Sequence, residues 1–87
     1  MKLRVYIAGQ YKRTDIAKIA AENPSYSELD ATKHFVDQKY GDWIAANIPS
    51  AKDDYVIAVP NTECFDVDFE RQADAEEFRT HLGGNYL

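Results

Sequence analysis

One cysteine, Cys64, excludes a disulfide within the chain. No apolar run approaches the roughly 18–20 residues that a membrane-spanning helix needs, so no such helix is expected. The opening "MKLRVYIAGQYKRTD" lacks both a long apolar segment and a small-residue cleavage site, so no signal peptide is expected. With no disulfide framework, these absences point to a cytoplasmic protein. Four glycines and three prolines are too few for a low-complexity or fibrous chain. Reaction motifs are missing as well. There is no GxSxG, no HExxH and no phosphate-binding glycine loop. His34 and His81 lack zinc-ligand spacing to Cys64 or to each other, and Cys64 has no paired base. No catalytic residue, no metal and no cofactor is assigned.

Basic residues are scarce in the second half, and this deficit is the most informative one. Residues 1–44 hold seven Lys/Arg against six Asp/Glu, whereas residues 45–87 hold three against nine. Between Asp53 and Glu77 nine carboxylates face a single cation, Arg71. Such a potential repels nucleic acid and anionic lipid and attracts basic partners. Direct DNA or RNA binding through this half is not expected, because phosphate neutralisation supplies most of such affinity.

What is present is a small globular chain, 45% hydrophobic and 29% charged, expected to form a single domain over residues 1–87. "KLRVYIA" alternates around Leu3, Val5 and Ile7 and predicts a first strand ending at Gly9. Thr14 is a cap candidate for a helix carrying Ile16, Ile19 and Ala20, which Asn23-Pro24 stop. Ser25 with Glu28, or Ser27 with Asp30, offers a capping box for a longer helix. Its apolar stripe is Leu29, Phe35, Val36, Tyr40, Trp43 and Ile44, with Gly41 as an expected interruption and Asp42 as a recap. "DYVIAV" and "CFDVDF" predict two strands joined by a hairpin loop over Pro60–Glu63. Asp74 with Glu77 predicts a capped last helix bearing Ala75, Phe78 and Leu82 and closed by Gly83-Gly84. The order is βααββα. It predicts an α+β fold, a small and mostly antiparallel sheet with helices on one face, and a ferredoxin-like arrangement is the first expectation. That arrangement wants a fourth strand, for which "GGNYL" is short.

Asp66, Asp68 and Glu70 alternate with Phe65, Val67 and Phe69, so they fall on the solvent side of a half-buried strand. With Asp53 or Asp54 from the neighbouring strand, such a row supplies the oxygen ligands that Mg²⁺ or Ca²⁺ prefer. An enzyme or ligand-binding domain using Asp66 and Asp68 with a divalent metal is therefore the alternative reading. Asp74, Glu76 and Glu77 suit the first turn of a helix. Together with Asp53, Asp54, Glu63, Asp66, Asp68 and Glu70 they read as one anionic stripe that matches the phosphate spacing of a nucleic acid. Tyr11, Tyr26 and Tyr86 fall at loop or terminal positions and are the expected contact aromatics. Trp43, Phe35, Phe65, Phe69 and Phe78 are the expected core. A strand over residues 3–8 at an exposed edge offers pairing with a second copy.

Two short stretches resemble known families. "IAAENPSYSELDATKHFVD", Ile19 to Asp37, resembles the first helical hairpin of the HU family of bacterial DNA-binding proteins, chiefly at Ser27, Asp30 to Lys33, Val36 and Asp37. The family's aromatic hairpin and basic arm have no counterpart, and "NTECFDVDFER" is acidic where the arm would be. "VYIAG" is similar to the opening strand and loop of nucleoside deoxyribosyltransferase-like proteins, with Gln10 where their proline stands and no catalytic glutamate motif after it.

The function expected from these features is protein binding. An acidic face, with Asp53, Asp54, Glu63, Asp66, Asp68, Glu70, Asp74, Glu76, Glu77, Tyr11 and Tyr26 as contact residues, would dock on a basic nucleic-acid-binding groove of a partner protein. Short acidic chains of this profile occur among phage-encoded inhibitors, including anti-CRISPR and anti-restriction proteins, which act in the host cytoplasm. Charge reversal at Asp66, Asp68 and Glu70 is expected to slow association while leaving folding intact.

Overall fold

In the computed structural model, residues 1–87 are all described. β1 (Lys2–Tyr6) alternates buried Leu3 and Val5 with outward Lys2, Arg4 and Tyr6, as a half-covered strand should. The chain then turns into α1, a continuous helical segment made of Gly9–Tyr11, a π-helical turn over Lys12–Ile16, and Ala17–Glu22. It therefore starts five residues before the expected cap. Thr14 lies inside it, with its hydroxyl donating to the Gln10 carbonyl at 2.8 Å.

α2 (Glu28–Asn47) begins with the second of the two anticipated capping boxes. The Asp30 amide donates to Ser27 Oγ and the Ser27 amide donates to the Asp30 carboxylate, both at 3.1 Å. The helix runs unbroken through Gly41 and Asp42, so the anticipated interruption does not occur: the six buried side chains of this twenty-residue helix outweigh one glycine's cost. Its buried side is Ala31, Thr32, Phe35, Val36, Tyr40 and Ile44, while Leu29 lies outside that stripe and is exposed.

β2 (Tyr55–Ala58) and β3 (Cys64–Phe69) form the expected hairpin. Asn61 shapes its loop, its side-chain oxygen accepting from the amides of Glu63 and Cys64 at 2.8 and 3.1 Å. α3 (Gln72–Leu82) is capped at Arg71, not at Asp74, which sits in the first turn. Asp74 does not cap an end here; it is buried and accepts from Ser50 Oγ at 2.8 Å, tying α3 to the loop between α2 and β2.

Gly83 and Gly84, with φ of +82° and +107°, then swing the chain back to β4 (Asn85–Tyr86), which pairs with Leu3 and Arg4. The fourth strand thus exists, two residues long. Strand order is β2-β3-β1-β4 with every neighbour antiparallel. Two crossovers, β1 to β2 through α1 and α2 and β3 to β4 through α3, give the split βαβ connectivity that the ferredoxin-like expectation required. β1 lies between β3 and β4, so it is interior and offers no edge to a second copy.

The core fills the space between the covered sheet face and the helices. Phe65, Phe69 and Phe78 are fully buried, and Tyr40 bridges them, with ring centroids 4.4 Å from Phe65 and 6.5 Å from Phe78. Trp43 is half-buried, edge-on to Phe78 at 5.8 Å. No buried side-chain polar atom lacks a hydrogen-bond partner. No helix is long and apolar enough to cross a membrane.

Candidate functional site

The pleat puts Lys2, Arg4, Cys64, Asp66, Asp68, Val56 and Ala58 on the face of the sheet that no helix covers, and pairing decides which of them meet. Arg4 stands directly across from Asp66, and Lys2 across from Asp68. The Arg4 guanidinium donates two hydrogen bonds to Asp66, at 2.8 and 3.0 Å, one to each carboxylate oxygen. That fork holds the Asp66 carboxyl below its ordinary value against the opposing cost of burial, and raises Arg4 in turn. Asp68 faces the N-terminal ammonium at 3.2 Å.

Four other acidic residues are similarly engaged. Lys12 donates to Glu63, and this bond is the main reason the Glu63 carboxyl lies low. Arg71 donates to Asp54 at 2.6 Å and to Asp74 at 3.4 Å, and its Nη1 also reaches the Ser50 carbonyl. Tyr86 donates its phenolic hydrogen to Glu76 at 2.5 Å, which raises the phenol's pKa.

The stripe that is continuous in sequence is therefore broken up in space. Its missing cations come from the N-terminal half, carried to it by β1 and by the start of α1. Asp66 and Glu63 lie in ion pairs, and Asp74 is 4% exposed and inaccessible to a partner. Reversing Asp66 would set two cations face to face, so the expectation that this change leaves folding intact does not fit the geometry. Tyr11 is no free contact aromatic either: its ring packs 5.2 Å from Phe35, with Lys39 Nζ 4.9 Å above it. Tyr26 remains partly exposed, beside the His34 ring at 6.0 Å.

Asp53 and Glu70 retain no cation partner. They lie together where β2 starts and β3 ends, tied by the Glu70 amide donating to the Asp54 carbonyl at 3.1 Å. Asp53, unlike Glu70, lines an open groove of about 310 Å³ between α2 and the β2 edge, together with Asp37, Gly41, Tyr55 and Ile57. Asp37 was not among the residues expected from sequence, and it too is unpaired. Its signal was spacing: Asp37 and Gly41 are four apart and share one flank of α2. Both oxygens of Asp66 are occupied by Arg4, and no three His, Cys, Asp or Glu side chains are arranged to hold a metal ion.

No family model, no curated protein and no solved structure matches this chain.

Proposed function

We propose that the chain is a small protein-binding module, an inhibitor or regulator that lays carboxylates against a basic, nucleic-acid-binding groove of a partner protein. The observation that carries this reading is the location of the unpaired charge. Asp37 and Asp53 line one groove at the β2 edge, on a molecule of net charge −5, and no cation lines that groove. Those carboxylates steer encounter with a positive surface, and half-exposed Tyr26 and exposed Val56 add apolar contact. The profile fits a phage-type inhibitor of host nucleic-acid machinery, working in the host cytoplasm.

Affinity capture from the native host, followed by a displacement assay, tests this. The expected partner binds nucleic acid, loses that nucleic acid when the chain is added, and releases the chain as salt rises. A partner whose nucleic-acid binding is unaffected, or turnover of a small molecule by the chain alone, would overturn the proposal.

A further inference from the structure

The two edges of the sheet are unlike. β4 is two residues long and preceded by two glycines, an edge too short to template another strand. β2, "YVIA", is four residues of strand-forming sequence with no charge, proline or bulge to block pairing. Its free backbone groups can be identified. The Phe69 amide and carbonyl both pair with Met1, so Phe69 and its alternates Val67 and Phe65 face β1. Asp66 and Asp68 therefore face β2, and their partners Ala58 and Val56 point inward to the ladder. By the same alternation the N–H and C=O groups of Tyr55 and Ile57 point away from the sheet, and neither residue has a hydrogen bond outside it.

We infer that the β2 edge accepts an extended, basic segment of a partner protein as a fifth strand, an inference that rests on the protein-binding reading above. Charge selects the occupant. An added strand presents alternate side chains to the two faces of the sheet. On the helix side they meet the groove lined by Asp37 and Asp53, which suits Lys or Arg. On the open side they meet Val56, 67% exposed, and Ala58, which suits apolar residues. The recognised pattern is basic–apolar alternation. A second copy is disfavoured as occupant, because it would bring another net charge of −5 and a second Asp37 and Asp53 to the same edge.

The test uses a synthetic peptide alternating lysine and valine, its glutamate–valine counterpart, and the full chain made by chemical synthesis with an N-methylated Ile57 amide. N-methylation removes one outward donor and leaves the Ile57 side chain and the β2–β3 ladder in place; thermal unfolding verifies the fold. The lysine peptide should shift and protect the Tyr55 and Ile57 amides in NMR, and the glutamate peptide should not. Binding should fall by about tenfold in the N-methyl chain and by about tenfold again in Asp37→Asn/Asp53→Asn. Equal binding to the N-methyl chain, or shifts confined to other residues, would overturn strand addition while leaving a basic partner in place. No binding of the lysine peptide at all would overturn the strand-addition inference, with the protein-binding reading decided by the displacement assay. Edge amides perturbed by raising the chain's own concentration would instead identify a second copy as the occupant and also overturn the inference.

Discussion

Asp66 has both oxygens against one guanidinium while 13% of its side chain meets solvent, so it is a structural carboxylate on a face that sequence alone would give to a partner. Replacing it with alanine removes two charge-assisted bonds and leaves Arg4 unpaired, an expected loss of about 1–3 kcal/mol in denaturant unfolding. Glu77 is exposed and its one ion pair is with His81, at 3.7 Å, so its alanine variant should lie within about 0.5 kcal/mol of the parent. The pH dependence follows from the sign of the shift. Asp66 is lowered in the folded state from an ordinary 3.8, so its contribution is complete above that value and is lost as pH falls through the folded one. The stability gap between parent and Asp66→Asn should therefore be full at neutral pH and close in acid. A gap that widens below pH ~4 would contradict the pairing. None of this was legible from residues 64–78 alone. The alternation of Phe and Asp gives the two faces of β3, but Arg4 lies sixty-two positions away and is chosen by strand register.

Glycine positions separate element propensity from tertiary demand. Gly41 sits inside α2 with helical neighbours, and an added Cβ would meet nothing closer than the Tyr55 hydroxyl at 3.9 Å. Gly41→Ala should therefore stabilise the chain by about 0.5–1 kcal/mol, read as a raised melting temperature. Gly84 has φ of +107°, and its Cβ would lie 3.1 Å from Val5 Cγ2 and 3.3 Å from the Arg4 carbonyl oxygen. Gly84→Ala should destabilise by more than about 1 kcal/mol and release the Leu87 amide, which donates to Lys2, to hydrogen exchange. Phe78 joins α3 to the rest through Tyr40, Trp43 and Phe69, and its truncation to alanine should cost about 3–5 kcal/mol with a changed Trp43 emission. Elements with periodic apolar residues were readable: β1, α2, β2, β3 and α3 all form, although β1 stops at Tyr6 short of Gly9 and α3 begins at Gln72 ahead of Asp74. The misplaced features are boundaries set by contacts distant in sequence. α1 extends back to Gly9, Asp74 is used by Ser50, and β4 forms only because Gly84 lets it lie against Val5.

At the scale of the molecule, the fold takes a chain with a near-neutral half and an acidic half and interleaves them. β1 and the start of α1 place Arg4, Lys12 and the N-terminal ammonium beside β3 and its loop, and Asp37 and Asp53 are left without a cation beside the β2 edge. The acidic second half foretold the sign of that potential. Its position depends on strand order, which carries no local signature. On the protein-binding proposal, the position of the charge, rather than its total, sets recognition. Two double variants with the same change in net charge decide it: Asp37→Asn/Asp53→Asn and Asp66→Asn/Asp68→Asn, compared by stopped-flow association with the lysine–valine peptide at low salt. The first pair should slow association several-fold and leave stability near that of the parent, whereas the second should lower stability and leave the association rate near that of the parent. Equal slowing in both would contradict the account.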